Sequence, residues 1–189
     1  MIDPAGSKSL MNIFYLDSNP KLAAKAHCDT HVNKMITESL QMMAAVCGRY
    51  NLTPPTKKNG DLYSVRSHPH HPATRWVGDS LDNFMWVYEL ALELCSEFLY
   101  RYKHSHAGQN SLTSVNLVRV AIELPDHGLT QPALCMPDHC KHPTADPVQS
   151  YRNFYNMEKS GLAFYANGRN PPSWWAPGKA ANFLAGEVL

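Results

Sequence analysis

His27, His31, Lys34, Glu38 and Gln41 follow one another at spacings of four, three, four and three residues. In an α-helix these offsets place all five side chains on one narrow stripe. Two imidazoles that can exchange protons near neutral pH, an ammonium that can neutralise phosphate and a carboxylate that can orient an imidazole form a concentrated acid/base and anion-binding set. The candidate catalytic residues are therefore His27, His31, Lys34 and Glu38. His27 or His31 would transfer protons, and Glu38 would orient the ring and raise its pKa. The alternative is that the stripe is only the solvated side of an amphipathic helix.

A second set of groups suits phosphate or nucleic acid. Arg75, Arg101, Arg152, Lys34 and Lys159 fall in helical stretches near histidines, while Tyr151, Tyr155, Trp174 and Trp175 offer stacking surfaces. Three imidazoles framed by prolines, His68-Pro69-His70-His71-Pro72, stand on a stiff loop, and a Pro-rich lead-in to the next helix would look the same. The binding candidates are His71, Arg75, Asn83, Arg101, Asp138, Arg152, Tyr155, Lys159 and Trp174. Aromatics at helical spacing are also what a core requires, and Phe154 and Trp86 are read that way.

Other chemistries fit less well. His27 and His31 have the spacing that lets two imidazoles share an ion, but Cys28-Asp29-Thr30 between them lacks the glutamate of a zinc protease helix. Cys135, His139, Cys140 and His142 match no standard structural finger. The reading therefore assigns no metal and no cofactor, with a zinc-dependent hydrolase as an alternative. Cys28 falls on the apolar side of its helix and is read as core rather than nucleophile. No phosphate-cradling glycine loop, nucleophile elbow or dinucleotide fingerprint occurs, which sets kinases and dehydrogenases aside.

The elements that must position these groups are helical. Asn19-Pro20 reads as an N-cap with proline in the first turn and Gly48 as a stop, so one helix is predicted between them. Leu22, Cys28, Val32, Met35, Ile36, Leu40, Met43 and Val46 form its apolar face, and Thr30, Asn33 and Thr37 its solvated sector. Asn12 to Leu16 reads as a short extended segment, and Asn51 to Ser67 as a surface loop. From Ala73 to about His106 the pattern is helical, with a break near Gly78-Asp79 and Asp79 as the cap of the second part. Between Phe84 and Tyr100 it is apolar nearly all round, as a central pillar would be. Its polar strip runs through Arg75, Asp79, Asn83, Glu89, Glu93, Glu97, Arg101 and His104, either as an exposed face or as a seam facing the first helix. Leu112 to Leu124 reads as a helix stopped by Pro125, and the stretch to Pro147 as a long loop of the functional or disordered kind. Asp146-Pro147 opens a helix to about Tyr165, Asn170 to Trp175 forms a rigid aromatic turn, and Gly178 to Val188 a last short helix. The fold class is all-α: a single-domain bundle of about five helices over residues 11–189, with one short N-terminal extended segment. Residues 1–10 read as a disordered leader or a cloning remnant. In this bundle His31, Lys34 and Glu38 would share a cleft with Asn83, Glu97 or Arg101, rimmed by the His71 and Asp138 loops.

Composition sets the outer limits. At 189 residues the chain can bury one good core, and a net charge of +1 with a pI near 7.7 argues against attachment to nucleic acid by bulk charge. Five cysteines, an odd number with three in apolar helical stretches, point to a reducing compartment. No apolar run is long enough for a membrane span and no secretory signal is present, so a soluble, intracellular protein is expected, with no membrane partner.

His27-Cys28-Asp29-x-His31-Val32-x-Lys34-Met35, His71-Pro72 followed by Trp76, Ser80, Asn83 and Trp86, Met136-Pro137-Asp138, and Tyr151-Arg152-Asn153-x-Tyr155 with Glu158-Lys159 together resemble a family of small helical proteins encoded by bacterial viruses and related viral genomes. The resemblance spans Met11 to about Trp175. More loosely, it is similar to viral DNA-hypermodification systems, in which a phosphorylated 5-hydroxymethyl group on the pyrimidine is displaced by an amino acid or amine. What this resemblance implies is a viral transferase whose partners are DNA or a nucleotide and a free amino acid or amine, with a base in duplex DNA flipped into the site. The alternative is a non-catalytic nucleic-acid-associated or virion-assembly protein.

Overall fold

A computed structural model describes residues 11–179. The architecture is all-α, with seven helices and a single 3₁₀ turn among the described residues: α1 (Pro20–Ala26), α2 (Asp29–Arg49), α3 (Pro72–Val77), α4 (Leu81–Tyr102), α5 (Gly108–Thr113), α6 (Leu117–Glu123), the turn Asp138–Cys140, and α7 (Pro147–Glu158). The only β pairing among them is an isolated bridge between Thr56 and Leu62 in the loop after α2. Helix α4 packs on α1 and α2, and α3 and α5 close over the pair. Val32, Met35, Ile36, Leu40 and Met43 of α2 and Phe84, Val87, Leu90 and Leu94 of α4 belong to one buried core.

The expected starts are found where side chains can cap. Asn19 accepts from the amides of Lys21 and Leu22 ahead of Pro20, and Asp146 accepts from the Gln149 amide ahead of Pro147. The helix predicted from Pro20 to Gly48 is in fact two. His27 and Cys28 take extended backbone with ψ of 138° and 163°, so the chain turns between α1 and α2. The break is held by groups remote in sequence: the Arg101 guanidinium donates to the carbonyl oxygens of Lys25 and His27 at the end of α1. Leu22, expected on the apolar face, is consequently exposed.

Gly48 does not stop α2, which continues to Arg49. A Cβ at Gly48 would come within 2.6 Å of Val65 Cβ, so glycine there allows the following loop to lie against the helix.

The break predicted near Gly78-Asp79 separates α3 from α4, but Ser80 rather than Asp79 precedes α4, while Asp79 pairs with Arg49 at 2.8 Å. The pillar is less enclosed than its composition suggests, since Leu92 and Leu99 are exposed. The helix predicted from Leu112 to Leu124 is replaced by α5 and α6, the second capped by Asn116, with the stop before Pro125 retained. Helix α7 ends at Glu158, short of the expected Tyr165, with Lys159 in the C-cap.

Met11 to Leu16 is buried against the helices, as expected, but it forms no strand and bends at Phe14, whose carbonyl accepts from the Leu16 amide at 2.7 Å. Its course is fixed at both ends. Arg152 donates to the Leu16 carbonyl at 2.9 Å and Trp86 Nε1 to the Ser18 carbonyl at 2.8 Å. Asn12 Oδ1 accepts from the amides of Ile13 and Phe14, holding Phe14 at φ +42°, a conformation that L-residues with bulky side chains rarely adopt. No helix among the described residues is long and apolar enough to cross a membrane. The proposed leader and most of the Gly178–Val188 helix lie outside the described residues.

Candidate functional site

The break after α1 brings His31 into the first turn of α2 against α7 and the N-terminal segment. Its ring stacks on Phe14 with centroids 4.4 Å apart, and Nδ1 lies 2.5 Å from the Tyr155 hydroxyl. That hydroxyl also accepts from the Cys28 amide at 3.2 Å and lies 3.5 Å from Cys28 Sγ. Burial keeps the Tyr155 phenol well above its ordinary pKa, so it remains a donor. Burial holds His31 well below its ordinary value, and the neighbouring His27 ring and the Lys34 and Lys159 ammonium groups disfavour a positive charge there as well. A neutral imidazole accepting from Tyr155 at Nδ1 carries its proton on Nε2.

His27 is fully buried beside this group, edge-on to Phe14 and Tyr155. Its Nδ1 lies 2.7 Å from the Ala23 carbonyl, which can only accept, so the proton is on Nδ1. Burial lowers its pKa to about 4; the bond to Ala23 works against the shift and Arg101 works with it. Nε2 therefore presents a lone pair with no hydrogen-bond partner. With α1 and α2 separated, His27 and His31 are not on one helical stripe, and they meet through tertiary packing.

Glu38 does not serve the imidazole. It is bonded to Lys34 at 3.1 Å and accepts from the Asn12 amide at 3.2 Å, tying α2 to the N-terminal segment. The ring partner is Tyr155, and the histidine pKa is lowered rather than raised. Two cations border the ring: Lys34 on the exposed side of α2, and Lys159 at the end of α7, lying 4.9 Å over the Phe154 ring.

The other candidates divide. Arg101 has no exposed side-chain surface and bonds to Asp29, Glu97 and the carbonyls of Lys25 and His27, so it holds the fold and faces no ligand. Burial works to raise the Glu97 carboxyl, but Arg169 and Arg101 hold it below the usual range. Asn83 is buried on the Trp76 carbonyl and on Thr130. These residues are committed to protein partners rather than presented to a ligand. His71 caps α3 through the Ala73 amide instead of standing free on a rim. Asp138 is exposed and pairs with Lys141. Arg75 is exposed on α3.

Arg152 pins the N-terminal segment through Leu16 and Asp17, and its guanidinium lies 5.2 Å over Trp174. Trp174 in turn is edge-on to Tyr155 at 6.2 Å. Of the thirteen candidates, His27, His31, Lys34, Tyr155 and Lys159 act on one centre. The sequence reading passed over Phe14 and placed Cys28 only in the core. The available signal for Phe14 was its place in an isolated aromatic segment, which named no partner.

Two shallow surface depressions, one lined by Cys47, Leu52, Asn116 and Arg119 and the other by Asn19, Lys21, Glu89 and Glu93, share no residue with this centre. Among the described residues, one group of His, Cys and carboxylate side chains converges as metal ligands would: His139, Cys140 and Glu158. His27 and His31 are not part of it. All five cysteines are free thiols.

The fold defines the class, an all-α protein. Comparison with known proteins returns no matching family model, no matching curated protein and no matching solved structure.

Proposed function

We propose that the protein is a DNA- or nucleotide-modifying enzyme that binds a phosphate group at His31. The carrying observation is geometric: Tyr155 orients a His31 ring that stacks on Phe14, Lys159 lies 4.9 Å over Phe154, itself stacked on Phe14, and Lys34 follows His31 by one turn of α2. An ammonium pair neutralises phosphate charge, and a neutral N–H polarises a phosphate oxygen without adding charge of its own. The sequence resemblance supports the finer reading, in which a viral protein displaces phosphate from a phosphorylated 5-hydroxymethylpyrimidine. The carbon–oxygen bond to phosphate breaks and its electron pair leaves with the phosphate. A new carbon–nitrogen bond forms to an amino acid or amine, whose surplus proton goes to solvent.

The rival, a non-catalytic nucleic-acid-associated or virion-assembly protein, is favoured by one observation: His31 is only 4% exposed. The test is mass spectrometry of nucleosides from DNA bearing phosphorylated 5-hydroxymethylpyrimidine, incubated with the protein and an amine. An amine adduct with phosphate release, lost in Lys159→Ala, supports the enzyme. Binding without covalent change selects the rival. Neither binding nor reaction ends the phosphate reading.

A further inference from the structure

The loop from Pro125 to Asp146 contains one regular element, the 3₁₀ turn Asp138–Cys140, and that turn packs against α7. At this contact His139 Nε2 lies 2.7 Å from Glu158 Oε1, and the ligand atoms of His139, Cys140 and Glu158 all lie within 4.8 Å of one another. The three are far apart in sequence only at Glu158, so it is the docking of the turn on α7 that completes the set. Cys140 is fully buried, while His139 and Glu158 stand at the surface. The sulfur is thus fixed by packing, and the other two donors can rotate toward it from the solvent side.

We infer that His139, Cys140 and Glu158 form a binding site for a zinc-like divalent transition-metal ion, with a fourth position open to solvent. The donor set decides the class of ion. Thiolate and imidazole suit zinc and its neighbours, whereas magnesium and calcium take oxygen ligands. At a tetrahedral ion with bonds of about 2.0–2.1 Å, the nitrogen and oxygen donors stand about 3.3 Å apart. The present contact between His139 and Glu158 is closer than that, so the ion replaces their hydrogen bond by a small outward movement of two exposed side chains. On binding, the Cys140 sulfur forms a bond to the metal and its proton goes to solvent, while His139 binds as the neutral ring. Three protein ligands with one open position is the arrangement of reactive rather than purely structural zinc. The ion would also fasten a long loop to α7, where loop-closure entropy otherwise opposes order.

The site is independent of the phosphate reading, and its test uses metal alone. The full chain is titrated with Zn²⁺ in competition with a chromogenic chelator, and with Co²⁺ while thiolate-to-cobalt charge-transfer absorption is followed. The expected result is one ion per chain and a charge-transfer band. Cys140→Ser should abolish the band and Cys135→Ser should retain it. His139→Ala and Glu158→Gln, both surface changes that leave the core intact, should each weaken binding by at least about tenfold. Circular dichroism confirms that Cys140→Ser is folded, and the two surface variants carry the test if it is not. Substoichiometric binding, a band that persists without Cys140, or unchanged affinity in both surface variants would overturn the site.

Discussion

The break between α1 and α2 feeds two buried polar clusters that differ in one respect. In the first, Arg101 places its guanidinium against Asp29, Glu97 and two carbonyls, while Arg169 adds bonds of 2.6 and 2.9 Å to Glu97. Asp29 is further satisfied by the Ala166 amide and Asn167. Two cations face two carboxylates, and no guanidinium donor of Arg101 is left to recruit a ligand. In the second cluster, His27, His31 and Tyr155 are held neutral, one imidazole nitrogen has no partner, and two lysines stand at the edge. The closed charged cluster positions the chain, and the neutral one leaves His27 Nε2 without a hydrogen-bond partner. Buried charge by itself therefore does not mark an open binding group, because every guanidinium donor of Arg101 already has a protein partner.

Breaking the first cluster should have the largest effect. Arg101→Met leaves Asp29 and Glu97 buried without their shared cation and frees two carbonyls, at an expected cost of about 3–5 kcal/mol. Urea denaturation measures it, and a loss below about 1 kcal/mol would remove the distinction between the clusters.

Acid should act next, through the second cluster. The folded state keeps His27 neutral down to about pH 4, whereas the unfolded chain takes up that proton near 6.5. Between those values the unfolded state binds more protons, so the contribution is complete above about pH 6.5 and declines by about 3 kcal/mol as pH falls to about 4. His31 adds in the same direction. Stability measured against pH should be flatter in His27→Gln, and equal slopes for variant and parent would show that His27 is not held neutral.

Tyr155→Phe should cost about 1–3 kcal/mol, because it leaves the Cys28 amide and His31 Nδ1 without their buried partner. Proton-detected nitrogen spectra of the imidazole should change with it, and an unaltered His31 signal would mean that Tyr155 does not set the ring.

The smallest effects on stability should come from the edge. Lys34→Ala and Lys159→Ala should stay within about 0.5 kcal/mol of the parent while weakening binding of a nucleoside phosphate. Unchanged binding in both would reduce the lysines to solvated surface.

Much of the frame was legible in the chain. Asn19-Pro20 and Asp146-Pro147 marked helix starts because capping and proline preference act within a few residues. The apolar positions of α2 from Val32 to Val46 were identified correctly because periodicity is local as well. The candidate site was legible only in its members. His31, Lys34, Tyr155 and Lys159 were each named, but His31 was matched to Glu38, its neighbour by helical spacing, when its partner is Tyr155, which lies 124 positions away. His139 and Cys140 were noticed as adjacent donors, and nothing in their spacing pointed to Glu158.

The sequence by itself determined an all-α protein, the helix starts at Pro20 and Pro147 and the buried face of α2, since these follow from backbone hydrogen bonding and hydrophobic period over a turn or two. Tertiary structure alone decided that the first helix would break at His27-Cys28, that Arg101 would be enclosed, and that two histidines would meet Tyr155. The physical reason is range. Helical periodicity favours continuing through His27, and bonds from Arg101 to the Lys25 and His27 carbonyls and from Tyr165 to the Ala26 carbonyl, all from groups more than seventy residues downstream, compensate the carbonyls released by the turn.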